Sequence, residues 1–213
     1  MRKPEIKCIL LDIGDVLLHV DWDQFSRHLG FSNSDVITKI RESKTFDSYE
    51  RGQISPTDFF KYIKTEFTPE HSVNDIAKAW DSIILGEIPG VGDLIQKYAS
   101  ALNSAVNVNS VRPSILFYAL TNASPTHIEL EAKKYSMFKD FKKILTSYEL
   151  GFRKPDPEIY LAALKEMNCR PEEVLFVDDL PENVAGAKAM GIHAEECRRS
   201  AEKLAHIFDK YVG

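Results

Sequence analysis

The chain has 213 residues, 44% of them apolar, and a formal net charge of -5 with acidic and basic residues interspersed. This composition excludes a disordered chain, and the length fits one core or a core with a small insert. With no basic block, nucleic acid is not expected as a partner, and no run approaches the roughly 18 apolar residues of a membrane span or fits a signal peptide.

The first element is a short apolar run, Lys7–Leu11, that ends abruptly in Asp12. Residues from about 20 to 88 then read as helices only: Asp23–Leu29, Ser34–Ser48, Pro56–Phe67 and Val73–Ile84. Ser55-Pro56 is a strong helix start, and Ile88-Pro89-Gly90 reads as a hinge out of this insert. Helix Gly92–Leu102 follows, then a polar, irregular stretch, Asn103–Pro113.

A second apolar run, Ser114–Leu120, ends in Thr121-Asn122. A third, Lys143–Leu145, ends in Thr146-Ser147. A fourth, Glu173–Val177, ends in Asp178-Asp179, and Ile192–Glu196 is a weaker fifth. Helical patterns lie between and after them: Pro125–Met137, Pro157–Met167 with Asp156 as N-cap, Pro181–Met190 and Ala201–Tyr211. Short unbroken apolar runs mark strands buried on both faces. The alternation predicts an α/β fold, with a Rossmann-like parallel sheet and helices on both faces. The expected organisation is a core of residues 1–19 and 89–213 with an inserted all-helical cap of residues 20–88. The cap is expected to close as a lid about His19–Trp22 and Gly86–Gly90.

Sheets of this kind bind ligands at the carboxyl ends of their strands. The polar residues there are Asp12, Thr121-Asn122 and Asp178-Asp179, with Lys154 from the loop after the third run. Attack on a phosphate needs a nucleophile, a cation and donors for the non-bridging oxygens. Converging carboxylates repel unless a cation joins them, and Mg2+ takes one or two carboxylates plus waters and phosphate oxygens. Lys154 offers a fixed positive charge, Thr121 a hydroxyl and Asn122 amide donors. Each residue alone has a plainer reading, as a turn former, helix cap or surface lysine; the ordered set outweighs it.

The set resembles the haloacid dehalogenase superfamily, whose four motifs it matches in order: LLDIGDVL, YALTNAS, GFRKPDPEIY and FVDDLPENVAGAKAMGI. The resemblance implies Asp12 as nucleophile, Lys154 as catalytic and phosphate-binding lysine, and Thr121 and Asn122 at the phosphate. It further implies magnesium held by Asp12, Asp178, Asp179 and the Gly14 carbonyl. The D-x-G-x-V form of the first motif, with YERGQIS in the insert, looks most like a bacterial sugar-phosphate phosphatase branch that includes an α-glucose-1-phosphate phosphatase. The expected substrate is a small phosphorylated metabolite, and the expected compartment is the cytoplasm; the sequence leaves the oligomeric state open.

One departure matters. Phosphatases of the superfamily usually carry a second aspartate two residues after the nucleophile, as acid and base; here that residue is Gly14, with Asp15 one position later. Three rivals follow: a metal-free dehalogenase, a phospho-acceptor receiver domain, and a protein that binds a phosphorylated ligand with little turnover. The acidic pair argues against the first; against the second stand the single aspartate at the first strand with the pair at the last, the chain length and the helical insert.

Other residues carry weaker expectations. Trp22 and Trp80 read as packing. Tyr49, Glu50 and Arg51 read as substrate contacts or as a solvated helix end. His127 reads as a helix-surface residue, and Asn183 as a partner of the metal ligands. The three cysteines, Cys8, Cys169 and Cys197, lack paired spacing and read as small buried hydrophobes.

Overall fold

The computed structural model describes residues 5–32, 35–104, 115–123 and 125–212. Most of the irregular stretch 103–113, and the expected starts at Ser34 and Ser114, lie outside the described residues.

Five strands form one parallel sheet: β1 (Cys8–Leu11), β4 (Leu116–Thr121), β5 (Phe141–Thr146), β6 (Val174–Asp178) and β7 (His193–Glu196), in the order β5-β4-β1-β6-β7. β1 is central and fully buried. Successive side chains of a strand point to opposite faces. Ile9 and Leu11 join a cluster with Val91 and Ile95 of α6 (Val91–Ser104) and Leu204 and Phe208 of α11 (Ala201–Val212). Cys8 and Leu10 face the other way, onto Ile159 and Ala163 of α9 (Pro157–Met167) and Val184 and Ala187 of α10 (Pro181–Ala189). Two buried faces explain why these strands read as unbroken apolar runs. The chain builds outward from β1 to β4 and β5, then returns to lay β6 and β7 on the other side. The reversal leaves a crevice above β1 and β6, between helices that cover opposite faces.

The insert differs from the all-helical expectation. It enters through β2 (Leu18–Val20) and leaves through β3 (Ile84–Glu87), which pair antiparallel with His19 opposite Gly86. Strands of 3 and 4 residues are too short to display an alternating pattern. Ile84 therefore looked like the end of the preceding helix, yet α5 (Val73–Asp81) stops at Ser82. The expected helix Ser34–Ser48 is two helices, α2 (Asp35–Arg41) and α3 (Lys44–Glu50). Ser43 makes the break: its hydroxyl donates to the Ile40 carbonyl at 2.7 Å and accepts the Phe46 N–H at 3.0 Å, finishing one helix and capping the next.

These helices, with α1 (Asp23–His28) and α4 (Pro56–Phe67), enclose a hydrophobic cluster of their own. Its centre is Trp80, with edge-on contacts to Trp22 at 5.6 Å, Phe25 at 5.8 Å, Phe46 at 5.9 Å and Phe59 at 5.0 Å. Trp80 is thus packing, as expected. Among the described residues, no helix is long and apolar enough to cross a membrane.

Truncating a fully buried tryptophan removes its transfer free energy and leaves a cavity. Trp80→Ala is expected to lower the unfolding free energy of the insert by about 3–5 kcal/mol, measured by urea denaturation followed through Trp22 fluorescence. An unchanged midpoint contradicts this packing account.

Candidate active site

The sheet order brings the polar strand ends together. Asp12 follows β1, Thr121 ends β4 with Asn122 next, and Asp178 ends β6 with Asp179 next. Lys154 arrives from the loop between α8 (Ser147–Leu150) and α9. Asp12, Gly14, Thr121, Asn122, Lys154 and Asp179 line one cavity of about 470 Å³ between the sheet and the insert; Asp178 lies beneath its floor.

Lys154 ties the floor together. Its Nζ lies 2.7 Å from Asp12 Oδ1 and 2.6 Å from Asp178 Oδ2, and donates to the Leu120 carbonyl at 2.9 Å. The residue is 3% exposed. Asn122 fixes its backbone from both sides: Oδ1 accepts the Lys154 N–H and Nδ2 donates to the Lys154 carbonyl, each at 2.9 Å. The Asn122 amide expected at the phosphate therefore holds the lysine. Burial opposes the Lys154 charge, but Asp12 and Asp178 outweigh it and hold the ammonium above the ordinary lysine range.

Asp178 is 0% exposed, and both its oxygens are engaged. Oδ1 accepts the Leu180 N–H and Asn183 Nδ2, both at 2.9 Å, while Oδ2 takes Lys154. Asn183 is thus a partner of Asp178, as one reading expected. Asp179 has Arg198 as a distant cation at 3.8 Å. Burial first, then the charges of Asp178 and Asp15, push Asp179 up to about 6. Burial likewise pushes Asp12 above the carboxylate range, against the pull of Lys154.

Asp12, Asp178 and Asp179 each offer an oxygen within 4.8 Å of the others. Among the described residues, the cations paired with these three carboxylates are Lys154, bonded to Asp12 and Asp178, and Arg198, 3.8 Å from Asp179, so negative charge is in excess. Such a crowded oxygen donor set fits a hard divalent cation.

Asp15 answers the question raised by Gly14. It sits in the left-handed region at φ 54°, and its carboxylate is taken up by Val20, Arg198 and Arg199. Its Oδ1 accepts the Val20 N–H at 3.0 Å and Arg199 Nε at 2.8 Å; its Oδ2 accepts Arg198 Nε at 3.2 Å and Nη2 at 3.1 Å. Burial opposes ionisation, but the bonds from Arg199, Val20 and Arg198 outweigh it and hold the carboxyl below the usual range. An acid so held has no proton to give at neutral pH. At Gly14 itself a Cβ would meet Val20 Cγ2 at 3.6 Å and Asp12 Oδ2 at 3.9 Å, ordinary contacts that leave room for a side chain beside the nucleophile.

The insert closes the cavity from above and is tied to the sheet domain. Arg51, just past α3, pairs with Asp47 at 2.9 Å and reaches Asp156 at 2.6 Å. That contact occupies the carboxylate expected to cap α9, which has no side-chain cap. Arg153 lies 3.2 Å from Asp47 and 2.8 Å from the buried Glu50. Gly52 presses on the backbone of α8: a Cβ there would come within 2.3 Å of the Tyr148 carbonyl.

Tyr49 is core packing of the insert, stacked on Phe59 at 4.1 Å. Neither Tyr49 nor Glu50 is the solvated helix end that one reading expected, because both are buried. His127 is also buried, contrary to its helix-surface reading. It lies parallel to Trp80 at 6.0 Å, with Nε2 3.0 Å from the Trp80 carbonyl, and burial lowers it to about 4.

Sequence reasoning missed four arginines that line the cavity: Arg41, Arg153, Arg198 and Arg199. Arg153 was within the third motif, and the Arg198-Arg199 pair follows the last strand at the sheet's carboxyl edge; these were the available signals. Arg41, with its guanidinium 4.4 Å above the Trp22 ring, had none.

The Asp15 contacts make a pH-dependent prediction. Its folded-state value is depressed, so its contribution is present above the unfolded value of about 3.9 and is lost as pH falls through the folded value. Asp15→Asn is expected to lower stability by about 1–3 kcal/mol at neutral pH, a gap that narrows in acid below about pH 4. Urea unfolding of both proteins at the two pH values measures this; no gap at neutral pH contradicts it.

Comparison with known proteins bears on this geometry. The profile of the haloacid dehalogenase-like hydrolase family matches residues 6–191. A D-ribitol-5-phosphate phosphatase of Bacteroides thetaiotaomicron is 27% identical over 205 residues, covering 92% of this chain and 94% of its own. A sesquiterpene phosphatase of Aspergillus oryzae is 26% identical over 198 residues, covering 87% of each chain. A family enzyme of Bacteroides thetaiotaomicron, solved in complex with magnesium and inorganic phosphate, superposes with a TM-score of 0.76 at 25% identity, covering 95% of this chain and 99% of that one. The chain belongs to the haloacid dehalogenase-like hydrolase family.

Proposed function

We propose that the chain is a magnesium-dependent phosphatase that hydrolyses a small phosphorylated metabolite, a sugar or sugar-alcohol phosphate, through an aspartyl-phosphate on Asp12. The observation that carries this reading is the buried Lys154, bonded to Asp12 and Asp178 beneath a cavity that Asp179 also lines. The relatives named as phosphatases support it.

In this reading Asp12 attacks phosphorus with the oxygen not paired to Lys154. The new bond from the Asp12 oxygen to phosphorus, that of an acyl phosphate, forms as the bond to the leaving oxygen breaks, and the pair goes to that oxygen. Lys154 and the Thr121 hydroxyl face the non-bridging oxygens, and Asn122 keeps the lysine in place. Water then attacks the phosphorus and returns the Asp12 carboxylate with free phosphate. Asp12, Asp178, Asp179 and the Gly14 carbonyl would hold magnesium, which would supply charge to offset the phosphoryl oxygens. Residues 20–88 act as the cap, and the leaving group lies against Trp22, Arg41, Glu50 and Arg153. Mixed donors, an acceptor and an aromatic wall suit a hydroxylated group.

Gly14 sets the character of the reaction. Among the described residues, no carboxyl stands at position 14 to protonate the departing oxygen, and Asp15 is held by Val20, Arg198 and Arg199. The first step should therefore depend steeply on leaving-group acidity. Aryl phosphates should react readily, anomeric sugar phosphates next and simple alkyl phosphates slowest. The same observation favours a second reading, a protein that binds phosphorylated ligands and turns them over slowly.

Asp12→Asn is expected to reduce phosphate release more than about 10³-fold while preserving the fold. A screen of phosphorylated metabolites, with magnesium and with a chelator, measures it. Near-normal turnover by the variant removes the mechanism, and full activity in chelator favours the metal-free alternative. Gly14→Asp is expected to accelerate alkyl phosphates by up to about 10²-fold and aryl phosphates little. A leaving-group series on the parent and this variant tests it; a flat dependence in the parent shows that another acid acts.

A further inference from the structure

Two thiols meet at the end of β1 remote from Asp12. Cys8 opens the strand and Cys169 lies in the turn just after α9; 161 positions apart in sequence, their Sγ atoms are 3.0 Å apart. Cys8 is 1% exposed and packs with Tyr118, Met167 and Val174. Cys169 is half-buried. The third cysteine, Cys197, is buried in the cluster on the other face of the sheet, with its Sγ 3.4 Å from the Ser200 carbonyl. The proposed mechanism uses none of the three.

We propose that Cys8 and Cys169 form an intramolecular disulfide when the protein meets a small-molecule disulfide. A disulfide bond is about 2.0 Å long, so the sulfurs need to approach by only about 1 Å. Exposure assigns the order of events. The Cys169 thiolate attacks one sulfur of the small disulfide, forming a mixed disulfide and releasing one small thiol. Cys8 then loses its proton and attacks Cys169 Sγ, releasing the second small thiol. The two protein thiols are oxidised, the small disulfide is reduced, and their protons end on the two released thiols. Burial pushes the Cys8 thiol up, and the neighbouring Cys169 adds to this. Conversion of Cys169 to a mixed disulfide removes that second contribution before Cys8 must react.

The bond would join the strand that leads to Asp12 to the turn after α9, closing most of the chain into a loop. Such a cross-link restricts the unfolded chain most when the loop is long. Asp12 lies four residues along an extended strand, about 13 Å away, so the cross-link stabilises the fold without entering the site.

The test treats the full-length protein with glutathione disulfide at about pH 8, near the ordinary thiol value, followed by alkylation, intact mass and non-reducing peptide mapping. The expected product is lighter by about 2 Da, carries a peptide joining Cys8 to Cys169, and is alkylated after unfolding at Cys197 alone. Its Tm rises by about 5 °C or more, and dithiothreitol reverses both changes. Cys169→Ser, at a half-buried position, is expected to fold and to lose the mass change and the Tm gain. A persistent glutathione adduct at Cys169 with Cys8 still alkylatable overturns the proposal, as do three thiols that remain alkylatable after treatment. A Tm gain that survives in Cys169→Ser does so as well.

Discussion

The rest of the structure depends on one buried ammonium. Lys154 has almost no contact with solvent, and an isolated charge there would be prohibitive. It is tolerated because Asp12 and Asp178 come from β1 and β6, which are neighbours in the sheet, while the Leu120 carbonyl comes from β4 on the other side. Three adjacent strands thus converge on one cation. The same contact that satisfies the lysine holds the Asp12 carboxylate at the cavity floor. Its loss would leave two buried carboxylates uncompensated.

Around that centre the positioning is hierarchical. Asn122 clamps the Lys154 backbone, and Asn183 and the Leu180 N–H orient Asp178. Asp15, four bonds deep in Arg198, Arg199 and Val20, anchors the turn that carries Gly14. The insert is held by the β2–β3 ribbon at one end, and a second attachment is made by the contacts from Asp47, Glu50 and Arg51 to Arg153 and Asp156, with His127 against Trp80 as a third contact. Partly exposed ion pairs contribute little each, typically below about 1 kcal/mol. A lid motion about the ribbon would therefore have to release the second attachment at modest cost.

The large features were legible in the sequence for physical reasons. Strands buried on both faces cannot hide polar residues, so the core runs stood out, and the residues that ended three of them, Asp12, Thr121-Asn122 and Asp178-Asp179, line the cavity or lie beneath its floor. What was illegible depended on contacts distant in sequence. Asp15 looked like a displaced acid because its partners lie 183 and 184 positions away. Arg51 looked like a helix end because Asp156 is 105 positions on. The β2–β3 ribbon was missed because its strands are too short to show a period. The break at Ser43 had a signal, a serine able to cap, that was masked by helix-forming residues on both sides.

The central claim is that Asp12 becomes phosphorylated during turnover. Borohydride reduces an acyl phosphate but not a free carboxylate. The direct measurement is therefore to quench the protein with borohydride while it turns over an aryl phosphate in magnesium, then map the modified residue by peptide mass spectrometry. The account predicts that the carboxyl of Asp12 is reduced, and that no reduction occurs without substrate. Reduction at a different residue, or phosphate release with Asp12 never modified, would contradict it.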